Sequence, residues 1–257
     1  MKKVLYLFLS LAIFTMSGCR KLIDIIFHHL PGEEPPATCR IKSIANSDVV
    51  YTFKYNTRGK LDSVIPNKHI DTSASHLLAF QYDNADRLRS MRRLSNVPGK
   101  IDVTHKYGYT GTLITTDTLY DVSTSTYRVW LVTLTYDSLE RVSRETREII
   151  YSDNESEVGG PFIDIFYNYD EDGNLMAREG GGYPGIEYDE HKNLLRTDKI
   201  LQFLARDYSA NNPVGAVSYN SADLPIGFSP PYNFVFHPHE GVGSTTVPIT
   251  TIAYNCE

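Results

Sequence analysis

A tyrosine recurs along this chain at the head of the same short pattern. Alternating β-formers lead into a Tyr, then Asp, Asn or Gly, then a polar turn, then an aliphatic six residues after the Tyr. The copies are Tyr55-Asn56 with Leu61, Tyr82-Asp83 with Leu88, Tyr107-Gly108 with Leu113 and Tyr136-Asp137 with Val142. Tyr169-Asp170 with Leu175 and Tyr188-Asp189 with Leu194 follow, and Tyr219-Asn220 has its aliphatic, Leu224, one residue early. The steps between these tyrosines are 27, 25, 29, 33, 19 and 31 residues, so the period is loose. Each copy predicts a β-hairpin. The Asp or Asn side chain can bond the backbone two residues on and open the turn. A Gly three residues later (Gly59, Gly111, Gly173) supplies the left-handed conformation. Tyr and aliphatic then face each other across the strands. A single hairpin is unstable in water, so the copies must pair edge to edge.

The expected fold is therefore all-β: an antiparallel meander of hairpins forming a curved or barrel-like sheet. One segment departs from it. Ile200, Phe203, Leu204 and Tyr208 have helical spacing behind Thr197, which predicts a short helix over 198–208 capped by Thr197. The motif resembles the YD repeat of the RHS family, and the chain is most similar to the short YD-repeat lipoproteins of Bacteroidota. The resemblance spans roughly residues 40 to 228. It implies a non-catalytic surface or envelope protein, and RHS-type repeats imply carbohydrate binding. The RHS core signature is absent, so a large closed cocoon is not implied.

The N-terminus carries an address. Lys2 and Lys3 precede an apolar run from Val4 to Phe14, too short for a resident span and suited to a signal peptide. Met16-Ser17-Gly18-Cys19 resembles a lipobox, which implies lipidation of Cys19. The expected organisation is a signal peptide over 1–18, a lipidated tether over 19–38 and a β domain over 39–257. Residue 20 is Arg, not Asp, which by resemblance to proteobacterial sorting implies the outer membrane. Whether the domain faces the periplasm or the outside is left open. Cys39 and Cys256 stand at the two ends of the domain, as a disulfide or as two free thiols.

Catalytic signatures are weak. Asn168 to Glu179 has the ligand spacing of an EF-hand loop, but both flanks predict strands and the segment coincides with a hairpin turn. His237-Pro238-His239-Glu240 fits an exposed loop better than a metal site. No Gly-x-Ser-x-Gly elbow is present. Glu145, Glu148, Glu155 and Glu157 could supply a glycosidase pair, though acidic pairs on hairpins are normally solvated. No metal or cofactor is expected. A formal charge of −6 argues against nucleic acid as a partner. The repeat tyrosines are read as filling one structural slot in each hairpin. The expectation is a lipid-anchored envelope protein that binds or scaffolds and is not an enzyme. Its partners would be the membrane through its lipid, and a glycan or an envelope protein. The alternatives are a carbohydrate-binding surface lipoprotein and a periplasmic carrier or chaperone with a barrel cavity.

Overall fold

The computed structural model describes residues 39–68, 76–95, 103–122, 126–160, 163–179, 187–235 and 246–256. Cys19, the segments expected to be a signal peptide and a tether, and the His237–Glu240 segment lie outside these residues. Strands β1 (Cys39–Ala45), β2 (Val50–Tyr55), β3 (Leu61–Pro66), β4 (His76–Tyr82), β5 (Leu88–Ser95) and β6 (Val103–Thr110) open an antiparallel meander. It continues through β7 (Leu113–Val122), β8 (Tyr127–Tyr136), β9 (Val142–Ser152), β10 (Ile163–Tyr169) and β11 (Leu175–Glu179). A separate two-stranded ribbon pairs β12 (Tyr188–Lys192) with β13 (Asn211–Pro213). The chain then returns through β14 (Ala216–Tyr219), β15 (Pro225–Val235) and β16 (Thr246–Cys256), and β16 pairs with β1. The result is one 14-stranded sheet running β11 to β1, then β16, β15 and β14. The fold is all-β, as the hairpin pattern requires.

The turn chemistry repeats from copy to copy. Asn56 Oδ1 accepts from the amides of Arg58 and Lys60, Asp83 from Ala85 and Arg87, and Asp137 from Leu139 and Arg141. The Tyr then pairs with the residue six on: Tyr55 with Leu61, Tyr82 with Leu88, Tyr136 with Val142 and Tyr169 with Leu175. The last copy obeys the same count, because Tyr219 pairs with Pro225 rather than with Leu224. The left-handed residue is Gly59 in the first turn and Gly173 in the fifth, at φ +71° and +85°. In three others it is Asp86, Glu140 and Asp223, at φ 60°, 61° and 65°. The turn thus survives without Gly, with a backbone cost that Asp tolerates better than most residues.

Three sequence expectations need correction. The third hairpin is built on Tyr109, not Tyr107. Its turn is the two-residue Gly111-Thr112, and Tyr109 pairs with Ile114 across a bulge. With Tyr109 in place, the first four tyrosines stand 27 apart (55, 82, 109, 136). Tyr188 opens no hairpin. Leu194 begins a 3-10 turn over Leu194–Thr197 and a helix α1 (Lys199–Ala205), inserted between β12 and β13. The cap of α1 is Asp198, whose Oδ1 accepts from the Ile200 amide at 2.8 Å, while Thr197 donates its hydroxyl to Leu194 O. The helix ends at Ala205, and Tyr208 lies beyond it.

Leu201, Phe203 and Leu204 of α1 are buried against the inner face of the sheet, with Val132, Leu134, Ile165 and Leu175 in the same core. The ribbon β12–β13 touches both edges of the large sheet. Tyr188 donates to Leu175 O of β11 at 2.7 Å, and Ser209 Oγ accepts from the Leu175 amide at 2.9 Å. On the other side the Tyr219 hydroxyl of β14 donates to Asp189, and the His191 ring stacks on Tyr219 at 3.7 Å. The open sheet is thereby bridged into a wrap, which leaves neither edge bare along its whole length.

Candidate functional site

The antiparallel order gathers the tyrosine-headed turns at one end of the sheet, beside the start of β1 and the end of β16. There the hydroxyls of Tyr55, Tyr82, Tyr109 and Tyr136 each donate to a backbone carbonyl of a neighbouring hairpin or strand. Tyr55 bonds Ile41 O at 2.9 Å, Tyr82 bonds Leu61 O at 2.7 Å, and Tyr109 bonds Leu88 O at 2.8 Å. Tyr136 reaches Ile114 O at 2.5 Å. Tyr169 takes the same register in β10, but its hydroxyl is buried without a hydrogen-bond partner among the described residues, and burial raises its pKa. Tyr254, in the dipeptide Tyr254-Asn255, makes the same bond to Pro225 O at 2.8 Å. The sequence pattern missed it because no turn follows, although the Tyr-Asn pair is the first copy's own signature. Burial pushes Tyr109 and Tyr136 up to about 12, so both stay protonated donors at ordinary pH. Tyr107 is different. It is buried in the core edge-on to Phe203, and its hydroxyl finds no hydrogen-bond partner among the described residues.

Between these turns and α1 lies an open cleft of about 670 Å³. Lys60, Arg87, Arg141, Arg196 and Lys199 line it, against two acids, Asp86 and Glu140. Arg87 Nε donates to Asp83 at 2.8 Å and its guanidinium lies 4.7 Å from the Tyr109 ring. Arg141 repeats this with Asp137 at 2.7 Å and the Tyr169 ring at 4.0 Å. The Arg87 amide and then its side chain hold Asp83 below its ordinary pKa. Burial acts to raise Asp137, but bonds from the Arg141 amide and guanidinium outweigh it and the net shift is downward. Leu113, Ile114 and Ile200 give the cleft an apolar floor, and Tyr208 adds a ring from outside the repeat slots.

Behind α1 a second group of polar residues is closed to solvent. Arg206, the left-handed C-cap of the helix at φ 52°, is fully buried. Its Nε donates to Glu145 Oε2 at 2.8 Å, and Arg147 Nε donates to Glu145 Oε1 at 2.5 Å. Another Arg206 nitrogen lies 3.8 Å from Asp117, whose carboxylate also meets His105 Nδ1 at 3.0 Å. Burial opposes the Arg206 charge, yet Glu145 outweighs it and keeps the guanidinium's pKa above its usual value. Paired and hydrogen-bonded in this way, the charges can remain inside. Glu145 has no exposed oxygen for a substrate. Glu157 is likewise engaged, by Arg128 at 2.6 and 2.8 Å and by Ser152, and is held down to about 2, chiefly by the Arg128 bond. The Asn168–Gly173 segment is the end of β10 and the turn into β11, with Asp170 Oδ1 accepting from the Asn174 amide. Cys39 and Cys256 are cross-strand partners in β1 and β16 and form a disulfide. Among the described residues, no group of three or more His, Cys, Asp or Glu is placed to hold a metal. No helix among them is long and apolar enough to cross a membrane.

No family model matches the chain, and no curated protein matches it. Among solved structures, the crystal structure of a porin-like protein from Bacteroides uniformis is similar, with a TM-score of 0.45 and 11% identity. The match covers 86% of this chain and 98% of that one. A likeness of this size carries no argument about activity.

Proposed function

We propose that the chain is a YD-repeat lipoprotein of the cell envelope whose β domain binds or scaffolds and does not catalyse. The observation that carries the binding reading is the turn-end cleft, with cations and half-buried tyrosines above an apolar floor. Sites of this make-up hold ligands by a few polar groups set into an apolar surface. The envelope reading rests on the Lys2–Cys19 segment and on the Cys39–Cys256 bridge, a bond typical of oxidising compartments. A carbohydrate is the second reading, favoured by Tyr208 in the cleft and by Trp130 in a smaller cleft of about 400 Å³ with Arg128 and Ile163. The carrier reading loses support, because α1 fills the inner face where an apolar cavity would lie.

The test is metabolic labelling with a fatty-acid analogue, followed by fractionation. The wild-type chain should take the label and sediment with the outer membrane. Cys19→Ser should lose the label and the sedimentation. An unlabelled wild-type chain in the cytosol would overturn the envelope reading. A glycan array on the purified chain tests the second reading, and uniform background across it would remove that reading.

A further inference from the structure

We infer that the turn-end cleft binds a phosphorylated amphiphile, with its phosphate on Lys60, Arg196 and Lys199 and its apolar body along Leu113, Ile114 and Ile200. This rests on the binding reading above and names the ligand's chemistry. The chain as a whole carries −6, yet the cleft lining counts five cations against two acids. Those five cations are not equivalent. Arg87 and Arg141 are committed to Asp83 and Asp137 within their own turns and stack on tyrosine rings. Asp86 is committed to Arg58 of the neighbouring turn. Lys60, Arg196 and Lys199 have no ion-pair partner among the described residues. Asp198, the acid nearest them in sequence, spends Oδ1 on the helix cap, and Lys60 and Arg40 act on its charge beyond ion-pair distance. Glu140 is the remaining acid of the lining.

The three cations without an ion pair come from three different elements: the first hairpin turn, the 3-10 turn and the first residue of α1. A wrap that delivers them to one cleft suits an anion with several oxygens and more than one charge. A lone carboxylate would satisfy only one or two of them. The floor beside them is apolar, and exposed Leu139 stands at the rim. A simple inorganic anion would leave that surface wet. A phosphate ester carrying a hydrocarbon body uses both halves, and the phosphate of a membrane lipid and that of a soluble phosphoester share this chemistry.

The experiment is calorimetric titration of the full chain in a non-ionic detergent. The probes are dihexanoyl phosphatidic acid, glycerol 1-phosphate and dihexanoyl phosphatidylcholine. Phosphatidic acid should bind, weaken as salt rises, and lose affinity about fivefold for each of Lys60→Gln and Lys199→Gln. The zwitterionic phosphatidylcholine should bind at least tenfold more weakly. Lys42→Gln, exposed on β1 away from the cleft, should leave affinity unchanged. Thermal melts of each variant confirm that the fold is intact. Glycerol 1-phosphate binding as tightly as phosphatidic acid would assign the site to a soluble phosphoester and overturn the amphiphile. Failure of both phosphate probes overturns the inference, while the glycan array and the fractionation still decide the broader reading. Phosphatidic acid binding that survives the Lys60→Gln and Lys199→Gln pair moves the anion elsewhere and also overturns it.

Discussion

Tyr82 donates its hydroxyl to Leu61, Tyr109 to Leu88 and Tyr136 to Ile114, so each ring ties its hairpin to the one before. A net hydrogen bond of this kind contributes about 1 kcal/mol. Tyr107, two residues from Tyr109, has a buried hydroxyl with no partner among the described residues. The two rings therefore make opposite predictions. Tyr109→Phe should destabilise the domain by about 1 kcal/mol, because the Leu88 carbonyl loses its donor. Tyr107→Phe should be neutral or stabilising, because it removes an unpaired polar group from the core. Urea melts of the two variants decide it, and the reverse order would return the repeat slot to Tyr107. The sequence made Tyr107 attractive for a physical reason. Gly108, Gly111 and Leu113 follow it at the motif's spacing, while Tyr109 is followed by Thr110. The shorter Gly111-Thr112 turn needs no Asx residue, so the signal that marks the other copies is absent where this turn is real.

At the scale of elements, hairpins were legible because their turn chemistry is local. Asn56, Asp83 and Asp137 each bond amides two and four residues on, and nothing distant is needed. The α1 insertion was only half legible. Its apolar spacing shows in sequence, but its end is set by Arg206, which leaves the helix in a left-handed conformation to reach Glu145 on β9. That contact spans 61 residues, and no local pattern announces it. The buried network behind α1 was illegible for the same reason. The left-handed turn residues give a direct test. Glu140→Gly should stabilise by about 0.5 kcal/mol, since Gly adopts φ 61° without the side-chain penalty. Gly59→Ala should cost about 1 kcal/mol, because φ is +71°, while the Arg40 guanidinium 2.6 Å from an added Cβ ends a flexible side chain and can swing away. Equal melts for Glu140→Gly and wild type would mean the Glu side chain offsets its own backbone strain.

At the scale of the molecule, two devices close the wrap, and they respond to different conditions. The ribbon closure includes His191 Nδ1 to Asp223 at 2.6 Å, and the Asp223 bond is the first cause raising the His191 pKa. A raised folded pKa means that the contribution is fully present below the ordinary histidine value of about 6.5 and fades as pH climbs through the folded value. The pair is exposed, so its effect is modest and local. Amide protection in β12 and β13 should fall as pH climbs above the ordinary histidine value of about 6.5, and His191→Gln should flatten that dependence. Protection that falls equally in the variant would assign the change to another group. The second closure is covalent. Cys39 and Cys256 lie 217 residues apart in sequence but 4.0 Å apart at Cα, on the two terminal strands that meet inside the sheet. Without the bridge, β14–β16 hold to β1–β11 through the β1–β16 ladder, the ribbon and the shared core, where Phe53 meets Phe234 edge-on. The loop it closes is nearly the whole domain, for which the chain-entropy model gives about 5 kcal/mol as an upper figure. Replacing both cysteines by Ser should therefore lower Tm by roughly 10 °C. Hydrogen exchange should show β16 losing protection before β6 to β8. A Tm unchanged by reductant, or protection lost first in β6 to β8, would place the stability of the wrap in its ladders and core rather than in its staple.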